Sequence, residues 1–129
     1  MENEKIRILV IDDEEIIREF LAEMFVTVGH VADVAATGPE GIAMFEAGHY
    51  DVIFSDLGLP DMSGWDVAKA IRTKNEQVPI VLLSGWGIQL DDVRIKECGV
   101  DLVLSKPCQM DELLNAVDEV VKRQKGKQA

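Results

Sequence analysis

Short apolar blocks recur along this chain with segments of helical period between them, and that alternation constrains the fold more than any other feature. The blocks are residues 6–11 (broken only by Arg7), 52–54, 80–83 and 100–104 (interrupted by Asp101). Apolar runs of this length suit strands buried on both faces. A fifth, 31–35, carries Asp33 and small residues, so it is expected at a sheet edge. Between the first and second strands, Ile16, Ile17, Phe20, Leu21, Met24, Phe25 and Val28 recur as one apolar helix stripe, with Gly29 as a stop. Thr37-Gly38-Pro39-Glu40 reads as a capping box with proline in the first turn, opening a helix through Ile42, Ala43 and Phe45 to Gly48. Less regular helices are expected over about 64–74, 89–98 and 110–123. Five strand and helix alternations imply a parallel sheet, and right-handed crossovers then cover both its faces. The expected fold is therefore α/β, a doubly wound five-stranded parallel sheet with five helices.

The 129 residues show no internal linker, repeat or low-complexity segment, which suits one core. One domain is expected over residues 1–122, with 123–129 a basic tail or the start of a linker. Lys122, Arg123, Lys125 and Lys127 follow every acid, so residues 1–121 hold 9 bases against 24 acids, a net of −15. Such a surface repels phosphate backbones and argues against direct nucleic-acid binding. Two cysteines make no disulfide framework and suggest a reducing compartment, with the cytoplasm expected. No apolar run approaches the ~20 residues of a membrane span, and Met1-Glu2-Asn3-Glu4 is too acidic to open a signal peptide, so no membrane partner is expected.

Ligands of open parallel sheets bind beyond the carboxyl ends of the strands. Here those ends are polar: Asp12-Asp13 after the first strand, Asp56 after the third, Ser84 after the fourth and Lys106-Pro107 after the fifth. Each alone is ordinary as a cap or turn residue. Together they bring three carboxylates, a hydroxyl and an ammonium to one edge. Three clustered anions repel one another unless a cation intervenes, and oxygen-only ligands favour Mg²⁺ over Zn²⁺. His30 and His49 each precede a strand and belong at the opposite edge. A divalent ion, a lysine and a hydroxyl together make a receptor for a phosphoryl group.

Asp12-Asp13, the run from Val52 through Asp56, Gly58 and Pro60 to Gly64, Leu82-Leu83-Ser84-Gly85 and Leu104-Ser105-Lys106-Pro107 resemble, in order and spacing, the receiver domain of two-component response regulators. The resemblance covers about residues 5–122 and implies the flavodoxin-like strand order 2-1-3-4-5. It implies Asp56 as phosphoacceptor, Asp13, Asp56 and the Gly58 carbonyl as Mg²⁺ ligands, and Asp12 as holder of a metal-bound water. Ser84 would then hydrogen-bond the phosphoryl oxygens, Lys106 would pair with them, and the Lys106-Pro107 bond would be cis. The implied reaction is transfer from a sensor-kinase phosphohistidine to Asp56, followed by at most slow hydrolysis, which makes the domain a phosphoacceptor and not an enzyme. Implied partners are a histidine kinase or phosphotransfer protein, and an output domain or downstream protein at the face formed by the fourth helix, fifth strand and fifth helix.

Two departures stand out. Val103 occupies the place of the family's aromatic switch, and Cys108, expected as a small core residue, replaces the Phe common after Lys-Pro. Trp86, between Gly85 and Gly87, is expected to fold over the site mouth or meet a partner, and to report phosphorylation in place of the missing ring. Trp65 is expected to pack partly over the Asp56 loop, Met62 and Met110 to pack, and Glu14 and Glu15 to be first-turn acids. An aspartyl-phosphate phosphatase is the competing enzyme reading, and Gly58, where such enzymes carry a second acid, argues against it. An unphosphorylated interaction module of the same fold is the third, and the intact acids, serine and lysine argue against that.

Overall fold

A computed structural model describes residues 5–85, 92–106 and 108–128, and side chains as far as residue 124. Five strands alternate with five helices: β1 (Arg7–Ile11), α1 (Glu15–Thr27), β2 (Val31–Ala35), α2 (Gly38–Ala47), β3 (Val52–Asp56), α3 (Gly64–Arg72), β4 (Ile80–Ser84), α4 (Asp92–Cys98), β5 (Leu102–Ser105) and α5 (Met110–Gln128). All pairings are parallel, in the order β2-β1-β3-β4-β5. The expected doubly wound sheet and its strand order are both present, with β2 at an edge.

The period-2 side-chain alternation of buried strands divides the core in two. Ile8 and Val10 of β1, Val52 and Phe54 of β3, and Val81 and Leu83 of β4 face α1 and α5, where Leu21, Met24, Phe25, Leu113, Val117 and Val120 complete one cluster. Leu9 and Ile11, Ile53, and Ile80 and Leu82 face the other way, onto Phe45 of α2, Trp65, Val67 and Ile71 of α3 and Cys98 of α4. The register Ile8↔Val52 and Val10↔Phe54 keeps like faces together across the sheet.

Several expectations are corrected. α1 buries Leu21, Met24 and Phe25 and half-buries Ile17, but Ile16 is 83% exposed, Phe20 52% and Val28 38%. The seven-residue stripe pairs adjacent positions about 100° apart, and one helix on one sheet face covers a narrower arc than that. Met110 is exposed at the start of α5, whereas Met62 packs as expected. Trp65 is fully buried, with the Arg94 guanidinium 5.4 Å from its ring centroid. The cap of α2 is half a capping box: Thr37 Oγ1 accepts from the Glu40 N–H, but the Glu40 carboxylate reaches the Ala36 N–H. A complete box opens α3, where Ser63 and Asp66 exchange both bonds. α5 runs on to Gln128, beyond the expected end at 123. β5 begins at Leu102, because the Asp101 carboxylate is drawn to the Ile80 N–H and Arg72. Cys108 is partly buried against the α1 and α5 cluster. Trp86, Gly87, the expected first turn of α4 at 89–91 and Pro107 lie outside the described residues. No helix among the described residues is long and apolar enough to cross a membrane.

Candidate functional site

The carboxyl ends of β1, β3, β4 and β5 deliver their polar residues to one place. Asp12 follows β1 and is fixed by its own backbone, the N–H donating to the Ala35 carbonyl at the end of β2 (3.1 Å). Asp56 closes β3, the central strand, in register with Leu83 of β4, and the next N–H, of Leu57, donates to the Leu83 carbonyl (2.9 Å). Lys106 follows β5 and is tied by its N–H to the Ser84 carbonyl at the end of β4 (2.8 Å). Gly64, the first residue of α3, is pressed against this end of the sheet. A Cβ there would lie 2.7 Å from the Asp56 carbonyl oxygen, and the Gly64 N–H donates to the Leu57 carbonyl (2.8 Å). Only glycine admits so close a backbone approach.

Lys106 Nζ lies 2.8 Å from Asp12 Oδ2 and 3.4 Å from Asp56 Oδ1, so one ammonium bridges two carboxylates. Asp12 is fully buried, and its other oxygen accepts from the Glu14 N–H (2.9 Å). The Gly58 N–H donates a long bond to Asp56 Oδ1 (3.4 Å). Burial pushes the Asp56 carboxyl above its usual range and Asp12 adds to the rise, while Lys106 and the Gly58 N–H oppose it. For Lys106, burial alone would lower its proton affinity, but the bond to Asp12 and the charges of Asp12 and Asp56 outweigh that and raise it. The ammonium is therefore held charged.

Oxygens of Asp12, Asp13 and Asp56 lie within 4.8 Å of one another, the spacing a single ion could span. Asp13 is exposed and faces the solvent approach, whereas the other two are buried. The donor set is oxygen only, its formal charge exceeds that of the one ammonium present, and it is compatible with Mg²⁺. Ser84 is buried beside this group. Among the described residues its hydroxyl makes only a 3.5 Å contact to the Leu104 carbonyl, at the outer limit for a hydrogen bond, so that contact holds it weakly.

The five side chains singled out from the sequence thus converge, and Gly58 lies in the loop after Asp56. His30 and His49 are at the opposite edge, as expected. His30 Nδ1 accepts from the Ile6 N–H (3.3 Å), and His49 is solvated near Asp51. Glu14 and Glu15 are exposed at the start of α1. Val103 is half-buried against the α2–α3–α4 cluster. Two contributors escaped sequence reasoning. Gly64 is expected to open a helix and closes the run that resembles the family, but its pressing against the Asp56 and Leu57 backbone is set by the fold and has no sequence signal. Arg18 donates from Nη1 to the Asp12 main-chain carbonyl (2.9 Å), a bond that no side-chain pattern signals.

The family model described as response regulator receiver domain matches residues 8–118. The transcriptional regulatory protein CusR of Escherichia coli K12 is 35% identical over 117 residues, covering 91% of this chain and 52% of that protein. The cell cycle response regulator CtrA of Brucella ovis is 35% identical over 120 residues, covering 93% of this chain and 52% of CtrA. The chain thus spans about half the length of these relatives. The response regulator protein TrrA of Thermotoga maritima, solved in complex with Mg²⁺-BeF, superposes with a TM-score of 0.81 at 35% identity over 88% of this chain and 97% of that one. A CheY-like receiver domain protein from Methanospirillum hungatei shares the fold with a TM-score of 0.90 at 24% identity, over 96% of this chain and 99% of that one.

Proposed function

The chain belongs to the response regulator receiver domain family, phosphoacceptor signalling modules of two-component systems, and from that premise we propose that Asp56 takes a phosphoryl group from the phosphohistidine of a sensor kinase or phosphotransfer protein. The observation that carries this reading is the bridging of Asp12 and Asp56 by Lys106, with Asp13 completing the cluster.

An Asp56 carboxylate oxygen attacks phosphorus, the P–N bond to the donor imidazole breaks, and the imidazole leaves with the bonding electron pair. An acyl phosphate on Asp56 results, and water later returns the carboxylate and releases inorganic phosphate. Burial raises the basicity of Asp56, which favours attack, while Lys106 and the Gly58 N–H hold it ionised. Lys106 then exchanges one carboxylate partner for the phosphoryl oxygens, and the weakly held Ser84 hydroxyl is free to donate to them. When bound, Mg²⁺ supplies the positive charge that offsets the acids and the incoming phosphoryl oxygens; Asp13, Asp56 and the Gly58 carbonyl would hold it, with Asp12 as an outer partner.

The buried acids, serine and lysine speak against a degenerate module, and Gly58 speaks against a phosphatase. The signal would leave through α4, β5 and α5, where Val93 and Met110 are exposed, to an output domain or downstream protein. The net −15 of residues 1–121 disfavours direct nucleic-acid contact by this domain. Two free cysteines support a cytoplasmic setting. Intact mass after incubation with Mg²⁺ and a small phosphodonor tests the assignment: wild type gains one phosphoryl group and Asp56→Asn gains none. A persistent stoichiometric adduct on Asp56→Asn overturns it.

A further inference from the structure

Arg18 has Glu14, Glu15 and Glu19 as neighbours in sequence, yet it forms no ion pair among the described residues. Its guanidinium turns instead to a main-chain carbonyl, that of Asp12, at 2.9 Å. This carbonyl belongs to the peptide that joins Asp12 to Asp13. The remaining polar groups of Asp12 are fixed independently: its N–H by Ala35, Oδ1 by the Glu14 N–H and Oδ2 by Lys106. The Asp13 carboxylate is different. It is exposed and has no hydrogen bond among the described residues, although its oxygens lie within 4.8 Å of those of Asp12 and Asp56. The direction of Asp13 therefore follows from its backbone, and the adjoining peptide plane is pinned by Arg18.

We propose that Arg18 is a positioning residue that aims the Asp13 carboxylate into the cation site by holding the Asp12–Asp13 peptide. The proposal rests on the reading of Asp12, Asp13 and Asp56 as the Mg²⁺ site. Electrostatics and positioning predict opposite signs. A guanidinium beside a divalent cation repels it, so if charge were its whole effect, removing Arg18 would tighten Mg²⁺ binding. Loss of a group that orients a metal ligand weakens binding, by roughly 10-fold or more.

The test is calorimetric titration of the whole chain with Mg²⁺, with melting temperatures in EDTA recorded for each variant. Arg18→Ala is expected to bind about 10-fold more weakly, and Arg18→Lys, which keeps a donor and the charge, to recover part of the loss. Arg18→Met, which has no donor, carries the same expectation as alanine and stands in for it if the alanine variant melts below the assay temperature. Asp13→Asn should bind at least as weakly as Arg18→Ala, and the double variant no more weakly than Asp13→Asn, since Arg18 acts through Asp13. Unchanged or tighter binding by Arg18→Ala or Arg18→Met overturns the proposal, as does additivity in the double variant. Failure of wild type to bind Mg²⁺ overturns the site reading beneath it, a result distinct from either.

Discussion

The two edges of the sheet both carry charge beside an apolar core, and they use it differently. At the amino edge, every acid in the network finds a donor. Arg7 lies 3.4 Å from Asp33 with its guanidinium over the Tyr50 ring, the Tyr50 hydroxyl donates to Asp33 (2.7 Å), and Asp51 accepts the Arg7 N–H (2.9 Å). Nearby, Arg72 donates to the Gly99 and Asn75 carbonyls and to Asp101, which also accepts the N–H that opens β4. At the carboxyl edge, one ammonium bridges two of three clustered carboxylates and leaves the third, Asp13, without an ion pair among the described residues. One edge closes on itself and fastens the fold; the other keeps a surplus of negative charge that only a further cation satisfies.

The largest effect expected from this contrast is at Arg72. The Arg72–Asp101 pair is less than one-fifth exposed, so Arg72→Ala should cost about 3 kcal/mol by removing the guanidinium that offsets a largely buried carboxylate. Chemical denaturation should show the loss, and the Mg²⁺ dissociation constant should not change. An altered Mg²⁺ affinity would break the separation of the edges. Mg²⁺ itself should stabilise the folded chain by about 2.7 kcal/mol at 100 times its dissociation constant, through the carboxyl edge alone. A melting temperature raised equally by ionic-strength-matched monovalent salt would contradict that. Gly64→Ala should cost about 2 kcal/mol, because the new methyl meets the backbone of Asp56 and Leu57, and phosphorylation should slow as the end of β3 shifts. Stability and phosphorylation rate measured on the same variant check both halves.

The smallest effect belongs to Tyr50. Burial first, and then its hydrogen bond to Asp33, push its pKa up to about 12. Because the folded value lies above the unfolded one, its contribution is fully present below pH 10 and is lost as pH rises toward 12. Tyr50→Phe should cost about 1 kcal/mol at neutral pH, and that deficit should shrink across this window in denaturation curves. A deficit independent of pH would mean that the hydroxyl does not carry it.

The carboxyl edge was the more legible of the two in the sequence. Its residues terminate apolar blocks, so Asp12, Asp13, Asp56, Ser84 and Lys106 announce themselves by position, and parallel topology brings strand ends together. The amino-edge network has no such punctuation: Asp33 looked only like a weak point of β2, and nothing local told that Tyr50 would land on it. Long-range side-chain pairing of that kind, 17 residues apart for Tyr50 and Asp33 and 29 for Arg72 and Asp101, depends on register that only the folded sheet sets. Helix faces were legible in type but not in width, which is why Ile16, Phe20 and Val28 emerged into solvent. Trp65 is more buried than expected because it belongs to the core cluster of the α2–α3–α4 face, with the Arg94 guanidinium also against its ring.

The bond between Lys106 and Asp12 joins residues 94 positions apart, about three-quarters of the span from residue 5 to residue 128. A contact of such separation closes late, after the shorter loops of β1, β2 and β3 have formed. Until the fifth strand docks, Asp12 and Asp56 lack the ammonium that bridges them. On the proposed reading of Asp56, a half-synthesised or partly unfolded chain would display the acceptor without the lysine that serves it. On that reading the lysine would serve as a proofreading mark for the polypeptide as a whole, making competence to receive a signal contingent on completed folding.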